Sequence, residues 1–260
     1  MSLVKLDYVD ETKFIAVLTL NRPQVKHAFN TETIKFLLDI FRELQQSETV
    51  RVVILTSSTE DAFCTGADLK ERNGMTDDEW RQQHKLIEDM YQALAEMKQP
   101  TIAAVNGYCL AGGFELALNS DLIIAGREAK FGLTEVLRGI MPGGGGARLL
   151  PKRVPLHIAK EWLFTGKIIS ANEAFDAGLL NKLVRPHEVL HESITLAKAI
   201  AENAPLGVQG VKRVADASTL DTDNARRFEI EIYNQVIESE DRLEGILAFN
   251  EKRKPQFKGM

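Results

Sequence analysis

The chain has 260 residues, 44% of them hydrophobic and 27% charged, and a formal net charge of −5. That length can bury a full core, as one large domain or as one domain with an appendage. The acidic balance speaks against a nucleic-acid surface, which needs a basic face, and two cysteines in apolar company, Cys64 and Cys109, give no sign of a disulfide framework.

No apolar run reaches membrane-spanning length, and the first residues lack the apolar centre of a signal peptide. A cytoplasmic protein without a membrane partner is the expectation. Phe14 to Leu20 reads as a buried strand that Lys5 to Val9 can join as a hairpin, and Asn21-Arg22-Pro23 ends it. Asn30 or Thr31 can cap a helix whose Ile34, Leu37, Leu38, Phe41 and Leu44 recur at helical spacing. Val52 to Thr56 is a short buried strand, followed by a loop through Gly66 with Asp68 at a helix start. Residues 77–98 predict a long amphipathic helix with Trp80, Leu86, Met90, Leu94 and Met97 inward. Strands alternating with helices imply a parallel sheet with crossover connections.

Thr101 to Arg148 carries the densest pattern. Strands are expected at Ile102–Val105 and Leu122–Ala125; between them Gly112 and Gly113 open a short helical segment carrying Glu115. A second acid, Glu135, follows in apolar company, and the stretch closes on Pro142 and four glycines. Beyond Pro151 the pattern is helical over 155–165, 171–177 and 187–203, with one short strand within 178–185. A boundary is placed near residue 200, which gives a core domain at 1–200 and a helical region at 201–260 that is highly charged from Asp221 onward.

Two features suggest chemistry. The turns at Gly66–Ala67 and Gly112–Gly113 each precede a helical segment, and two N–H groups converging from such turns can hold a carbonyl oxygen that gains charge. Glu115 and Glu135 sit among apolar residues, where a carboxyl holds its proton to higher pH and suits proton transfer near neutrality. Spacing alone also allows tight turns and backbone-satisfied glutamates. His187-Glu188-Val189-Leu190-His191 matches the HExxH zinc pattern literally, but Pro186 places it at a helix start, and a solvated first turn is preferred; no metal is expected. Gly143–Gly146 lacks the GKS or GKT of a phosphate loop, and no G-x-S-x-G elbow is present.

Together the residues resemble the crotonase superfamily, the enoyl-CoA hydratase/isomerase family, over nearly the whole chain. LNRP at 20–23, FCTGADLKE at 63–71, PTIAAVNGYCLAGGFELAL at 100–118 and FGLTEVLRGIMPGGGG at 131–146 carry the resemblance. EAFDAGLLNKLV at 173–184 and EGILAFNEKRKPQFKG at 244–259 complete it.

The resemblance implies an α/β fold, a crotonase-like spiral of ββα units with a helical C-terminal region that mediates trimers, which commonly pair into hexamers. It implies that Ala67 and Gly112 supply the two thioester-binding N–H groups and that Glu115 and Glu135 are the hydratase glutamates. Ala67, Asp68, Leu69 and Lys70 would lie along the CoA thioester and pantetheine, Lys26 and Ala28 near the nucleotide, and Lys252 near a CoA as well. Coenzyme A would be part of the substrate, with no separate cofactor. The implied activity is addition of water across C2=C3 of a 2-enoyl-CoA to give a 3-hydroxyacyl-CoA. Similarity of the PGGGG run and the C-terminus to methylglutaconyl-CoA hydratases makes that acyl group an alternative, and a Δ3,Δ2-isomerase or an acyl-CoA hydrolase is the runner-up reaction. An RNA-binding relative is disfavoured by the charge. Three departures stand out: His27 where Asn is frequent, Ala111 where glycine is usual, expected to be harmless, and Ala147-Arg148 after the glycine run.

Overall fold

The computed structural model describes residues 2–217, 231, 235 and 239–260. Most of the charged stretch expected from Asp221 to residue 238 lies outside the described residues. The chain begins with β1 (Val4–Tyr8) and β2 (Ile15–Leu20), an antiparallel hairpin. Then come α1 (Thr31–Gln46), β3 (Val52–Ser57), β4 (Ala62–Cys64), α2 (Leu69–Arg72) and α3 (Asp77–Ala95). Next are β5 (Thr101–Val105), β6 (Tyr108–Leu110), α4 (Gly112–Leu118), β7 (Leu122–Gly126) and β8 (Lys130–Gly132). The rest comprises α5 (Gly146–Arg153), α6 (Leu156–Thr165), β9 (Ile169–Ser170), α7 (Ala171–Asp176), β10 (Lys182–Val184), α8 (Val189–Ala201), α9 (Pro205–Asp216) and α10 (Glu240–Glu251).

Two sheets form. The larger has the order β1-β2-β3-β5-β7-β10 and is parallel from β2 onward; the smaller has the order β4-β6-β8-β9. Three successive units each place one strand in each sheet: β3 and β4, β5 and β6, β7 and β8. Register repeats with them, Ile54 facing Ile102 and Ile102 facing Leu122 in one sheet, Cys64 facing Cys109 and Cys109 facing Phe131 in the other. The spiral is therefore a structural repeat without a sequence repeat.

The long strands read as unbroken apolar runs because both faces of the larger sheet are covered. Ala16, Leu18, Val53, Leu55, Ala103 and Val105 face the main core, with Ile34, Phe41, Met90 and Leu94 of α1 and α3. Ile15, Val17, Val52, Ile54, Ile102 and Ile124 face the other way, against Val189, Ala197 and Ala201 of α8.

Asn30 caps α1, its Oδ1 accepting the Thr33 N–H at 2.9 Å. Thr76 and Glu79 form a reciprocal capping box at the start of α3, which satisfies two of the orphan donors there. The buried face of α3 is Gln83, Ile87, Met90, Tyr91 and Leu94. Trp80 and Leu86, expected inward, are only half-buried, and Met97 is buried just past the helix end. The residue pattern alone gives no sign of the smaller sheet, whose first three strands are each the second β of a ββα unit: its strands span two or three residues, too few for a periodic signal. No helix among the described residues is long and apolar enough to cross a membrane.

The end of the chain folds back on the core. Arg51 lies over the Phe14 ring and donates to the carbonyls of Ala201 and Phe257. Lys212 reaches Asp121 Oδ2 at 2.7 Å and the Gln99 carbonyl at 3.1 Å.

Candidate active site

The two glycine turns meet. Residues 27–29 run alongside the turn after β4: the Phe29 N–H donates to the Gly66 carbonyl and the Asp68 N–H to the Phe29 carbonyl, both at 2.7 Å. This pairing uses the amides on either side of Ala67 and turns the Ala67 N–H away from the strand. Gly112 is the first residue of α4, where no carbonyl lies four residues back within the helix. Neither N–H finds an acceptor among the described residues. The two are neighbours, since a Cβ on Gly112 would stand 3.7 Å from the Ala67 nitrogen. Packing holds them there. A Cβ on Gly113 would fall 2.1 Å from the Cys64 carbonyl oxygen, so only glycine lets α4 approach β4 this closely.

Ala111, just before the donor, has φ +49° and ψ −126°. An L side chain is strained there, so this departure from glycine is not the harmless one expected. His27 also has positive φ, at +58°, a conformation that Asn tolerates well. Its buried ring faces inward rather than toward a ligand: Nδ1 accepts the Arg22 N–H and Nε2 bonds Thr59 Oγ1 at 2.9 Å. Ala147 and Arg148 are accommodated in the first turn of α5, which buries Leu150.

Ala67, Leu69, Gly112, Glu115 and Glu135 border one cavity of about 750 Å³, together with Arg72, Trp80, His84, Tyr91 and Gly143–Gly144. The two carboxylates are held differently. Glu115, on α4, is 4% exposed, and its Oε1 accepts N–H bonds from Gly144 at 2.7 Å and Gly146 at 2.9 Å. Burial raises its pKa and these two bonds pull it back down. The glycine run thus grips an oxygen of the chain's own Glu115 carboxyl. Asn119 Nδ2 fixes the run by donating to the Gly144 carbonyl at 2.9 Å. A Cβ on Gly144 would strike the Tyr91 ring at 2.0 Å, so the backbone lies flat on that ring.

Glu135 opens a 3-10 turn, Glu135–Arg138, and is 8% exposed. Its Oε2 is buried without a hydrogen-bond partner. Burial, and then the Glu115 charge, push its pKa up to about 7. Tyr91 was missed from sequence, because an aromatic at helical spacing reads as core. It is buried as expected of core, yet its hydroxyl donates to the Gly112 carbonyl at 2.5 Å, beside the donor turn.

The remaining sequence candidates do not border the cavity. Asp68 pairs with Arg22 at 3.1 Å and caps α2 through the Lys70 N–H. Lys70 and Lys26 are exposed, the latter with Nζ 4.3 Å from the centre of the Tyr108 ring. Ala28 is buried and its carbonyl accepts from Arg22. Lys252 is exposed in the C-terminal segment, where Arg253 is already paired with Glu244 and Glu251. The HExxH stretch is split between a 3-10 turn, Pro186–Glu188, and α8, and Glu188 is paired with Arg185. Among the described residues, no three His, Cys, Asp or Glu side chains cluster as metal ligands.

The profile of the enoyl-CoA hydratase/isomerase family matches residues 10–260. The chain belongs to that family. The short-chain-enoyl-CoA hydratase of Clostridium acetobutylicum is 38% identical over 92% of each chain, and the crotonyl-CoA hydratase of Syntrophomonas wolfei is 36% identical over 96% of each. The crystal structure of enoyl-CoA hydratase from Bacillus anthracis superposes with a TM-score of 0.96 at 37% identity, covering both chains in full. The fold is the crotonase fold, and the family acts on acyl-CoA thioesters.

Proposed function

We propose that this family member is an enoyl-CoA hydratase, adding water across C2=C3 of a 2-enoyl-CoA. The observation that carries the reading is the cavity wall: two unpartnered amides stand side by side, with two buried carboxyls next to them, one held by two backbone N–H groups and one with an unpartnered oxygen. The thioester oxygen accepts from the Ala67 and Gly112 N–H groups. As water oxygen bonds to C3, the C2=C3 electrons move toward the thioester and that oxygen gains negative charge. Donors already in place stabilise this enolate-like state more than the ground state.

Glu115 is the better base of the two in position. Its Oε1 is fixed by two amides, which leaves Oε2 to take a proton from water. Glu135, with a pKa near 7, carries a proton in part of the population at neutral pH and delivers it to C2. The hydroxyl ends on C3 and the hydrogen on C2, so atoms and electrons balance with no further reactant. The pair titrates as a unit, and protons redistribute between the two after each turnover.

The test is loss of conjugated-enone absorbance with crotonyl-CoA and longer 2-enoyl-CoA thioesters. Turnover that falls by several powers of ten in Glu115→Gln and in Glu135→Gln, with thioester affinity kept, supports the assignment. Double-bond migration in a 3-enoyl-CoA without any hydration would replace it with an isomerase.

A further inference from the structure

An arginine outside the cavity braces the turn that carries one of the two donor amides. Arg22 stands just past β2, and its side chain and that of Asp68 are each 12% exposed. Its guanidinium spans two chain segments. Nη1 donates to the Ala28 carbonyl at 2.5 Å and Nη2 to Asp68 Oδ2 at 3.1 Å. The two acceptors flank the short parallel bridge between Phe29 and Ala67: Ala28 comes just before it on one segment and Asp68 just after it on the other. This is the bridge whose two backbone bonds leave the Ala67 N–H unpaired between them.

The first of these segments is strained. Lys26 and His27 both have positive φ, +50° and +58°, a conformation that persists only where its surroundings over-determine it. Arg22 supplies part of that determination through its backbone. Its carbonyl accepts the His27 N–H at 2.9 Å, and its own N–H donates to His27 Nδ1 at 3.1 Å. One residue thus holds residues 27, 28 and 68 together.

The charge of Arg22 is spent inside the protein. Arg22 does not border the cavity, whereas Phe29, Thr65 and Ala67 do. A buried ion pair often stabilises a fold no better than apolar side chains of the same volume. What it provides here is geometry, because the planar guanidinium holds two acceptors in one fixed arrangement. The piece of structure so fixed is a wall of the cavity.

Resting on the hydratase reading, we infer that Arg22 is a positioning residue for the reaction: by tying residue 28 to residue 68 it aims the Ala67 N–H at the thioester oxygen, with Asp68 as its partner. It acts through Ala67 and touches no reacting atom. Without the brace the turn relaxes, and a donor displaced by about 1 Å loses much of what preorganisation gives it in the transition state.

The experiment compares two thioesters that hydration cannot consume. Butanoyl-CoA offers a neutral carbonyl. Acetoacetyl-CoA, a 3-oxo thioester, releases a C2 proton to solvent and becomes an enolate that places charge on the thioester oxygen and absorbs in the near ultraviolet. Calorimetric affinities for both, the enolate absorbance of bound acetoacetyl-CoA, and kcat and KM for crotonyl-CoA are measured for the parent chain, Arg22→Met and Arg22→Lys. In Arg22→Met the preference for acetoacetyl-CoA over butanoyl-CoA should fall by on the order of tenfold to a hundredfold, with kcat falling by a similar factor and KM moving by less than about threefold. The enolate absorbance should fall with the preference. Arg22→Lys, whose single Nζ cannot serve both acceptors in the same arrangement, should keep part of each.

A parental preference and absorbance in Arg22→Met would overturn the inference. Equal weakening of both ligands, the result of a guanidinium that met CoA itself, would overturn it too. If Arg22→Met does not fold, Arg22→Lys decides, and an unchanged preference there overturns the inference. A parent chain that binds no enolate would count against the Ala67–Gly112 donor pair and leave Arg22 no donor to position. Enolate binding without hydration of crotonyl-CoA would count against the hydratase reading alone, and the ligand preference would still decide the role of Arg22.

Discussion

Glu135→Gln should remove catalysis and raise stability, and the gain should depend on pH in a defined direction. The folded-state pKa of Glu135 is raised from 4.5 to about 7. At about 1.4 kcal/mol per tenfold change in proton affinity, the rise of 2.5 (7 − 4.5) corresponds to about 3 kcal/mol. The sign follows from linkage. Below pH 4.5 the side chain is protonated folded and unfolded, and costs nothing extra. Between 4.5 and about 7 the unfolded chain ionises while the folded one resists, so stability falls as pH rises, and above about 7 the loss is complete. Glutamine keeps the shape and never ionises. Its stability advantage over the parent should grow from near zero at low pH to about 3 kcal/mol above pH 7. Urea denaturation of both proteins at several pH values measures the difference. A difference that does not change with pH, or a variant that is less stable at high pH, would show that the carboxylate is not desolvated as argued.

Other changes probe the supports of the site. Tyr91→Phe removes the hydroxyl bond to the Gly112 carbonyl, which keeps its place in the helical ladder of α4, and should cost about 0.5–1.5 kcal/mol in thermal or urea denaturation, with kcat lowered more than KM is raised because the donor turn loosens. Ala111→Gly releases the strain of φ +49°; the gain exceeds the entropy glycine adds to the unfolded chain, so unfolding should shift upward by about 1 kcal/mol. Gly144→Ala drives a methyl group into Tyr91 and toward Glu115 Oε2; kcat should fall by about tenfold or more, since small misplacement of a catalytic group is costly, while circular dichroism shows a folded protein.

The parallel sheet, the crossover helices and the two glutamates were legible because each rests on a local pattern. Ile102–Val105 is an unbroken apolar run, α1 repeats at helical spacing, and Glu115 and Glu135 are acids where apolar residues are expected. The smaller sheet was not legible: Ala62–Cys64 and Lys130–Gly132 are shorter than any period, and only pairing, of β4 with β6 and of β8 with β6 and β9, makes them strands. That Asp68 and Lys70 do not line the cavity with their neighbours was hidden for a related reason. Residues adjacent in sequence at a turn diverge in space, so Ala67 and Leu69 face the cavity while Asp68 turns back to Arg22. The role of Gly144 and Gly146 was hidden because their partner, Glu115, lies 29 and 31 residues away, and a backbone donor leaves no side-chain signature.

These long-range backbone bonds give the two glutamates of one cavity different hydrogen-bond surroundings. Burial pushes both upward, and their mutual repulsion would split them in either direction. The glycine run acts on one of them only. Two N–H groups stabilise the ionised form of Glu115, whereas Glu135 meets no donor at Oε2 and its pKa rises to about 7. In the proposed reaction, the difference between the residue that accepts a proton and the one that supplies it would lie in the backbone of residues 143–146, held by Asn119 and packed on the Tyr91 ring. A substitution that breaks the Asn119 bond, without touching either carboxylate, should loosen these two N–H bonds, raise the proton affinity of Glu115 and change the pH dependence of kcat. A pH–rate profile for Asn119→Ala that keeps the shape of the parent's would mean that the amides of Gly144 and Gly146 hold Glu115 without Asn119.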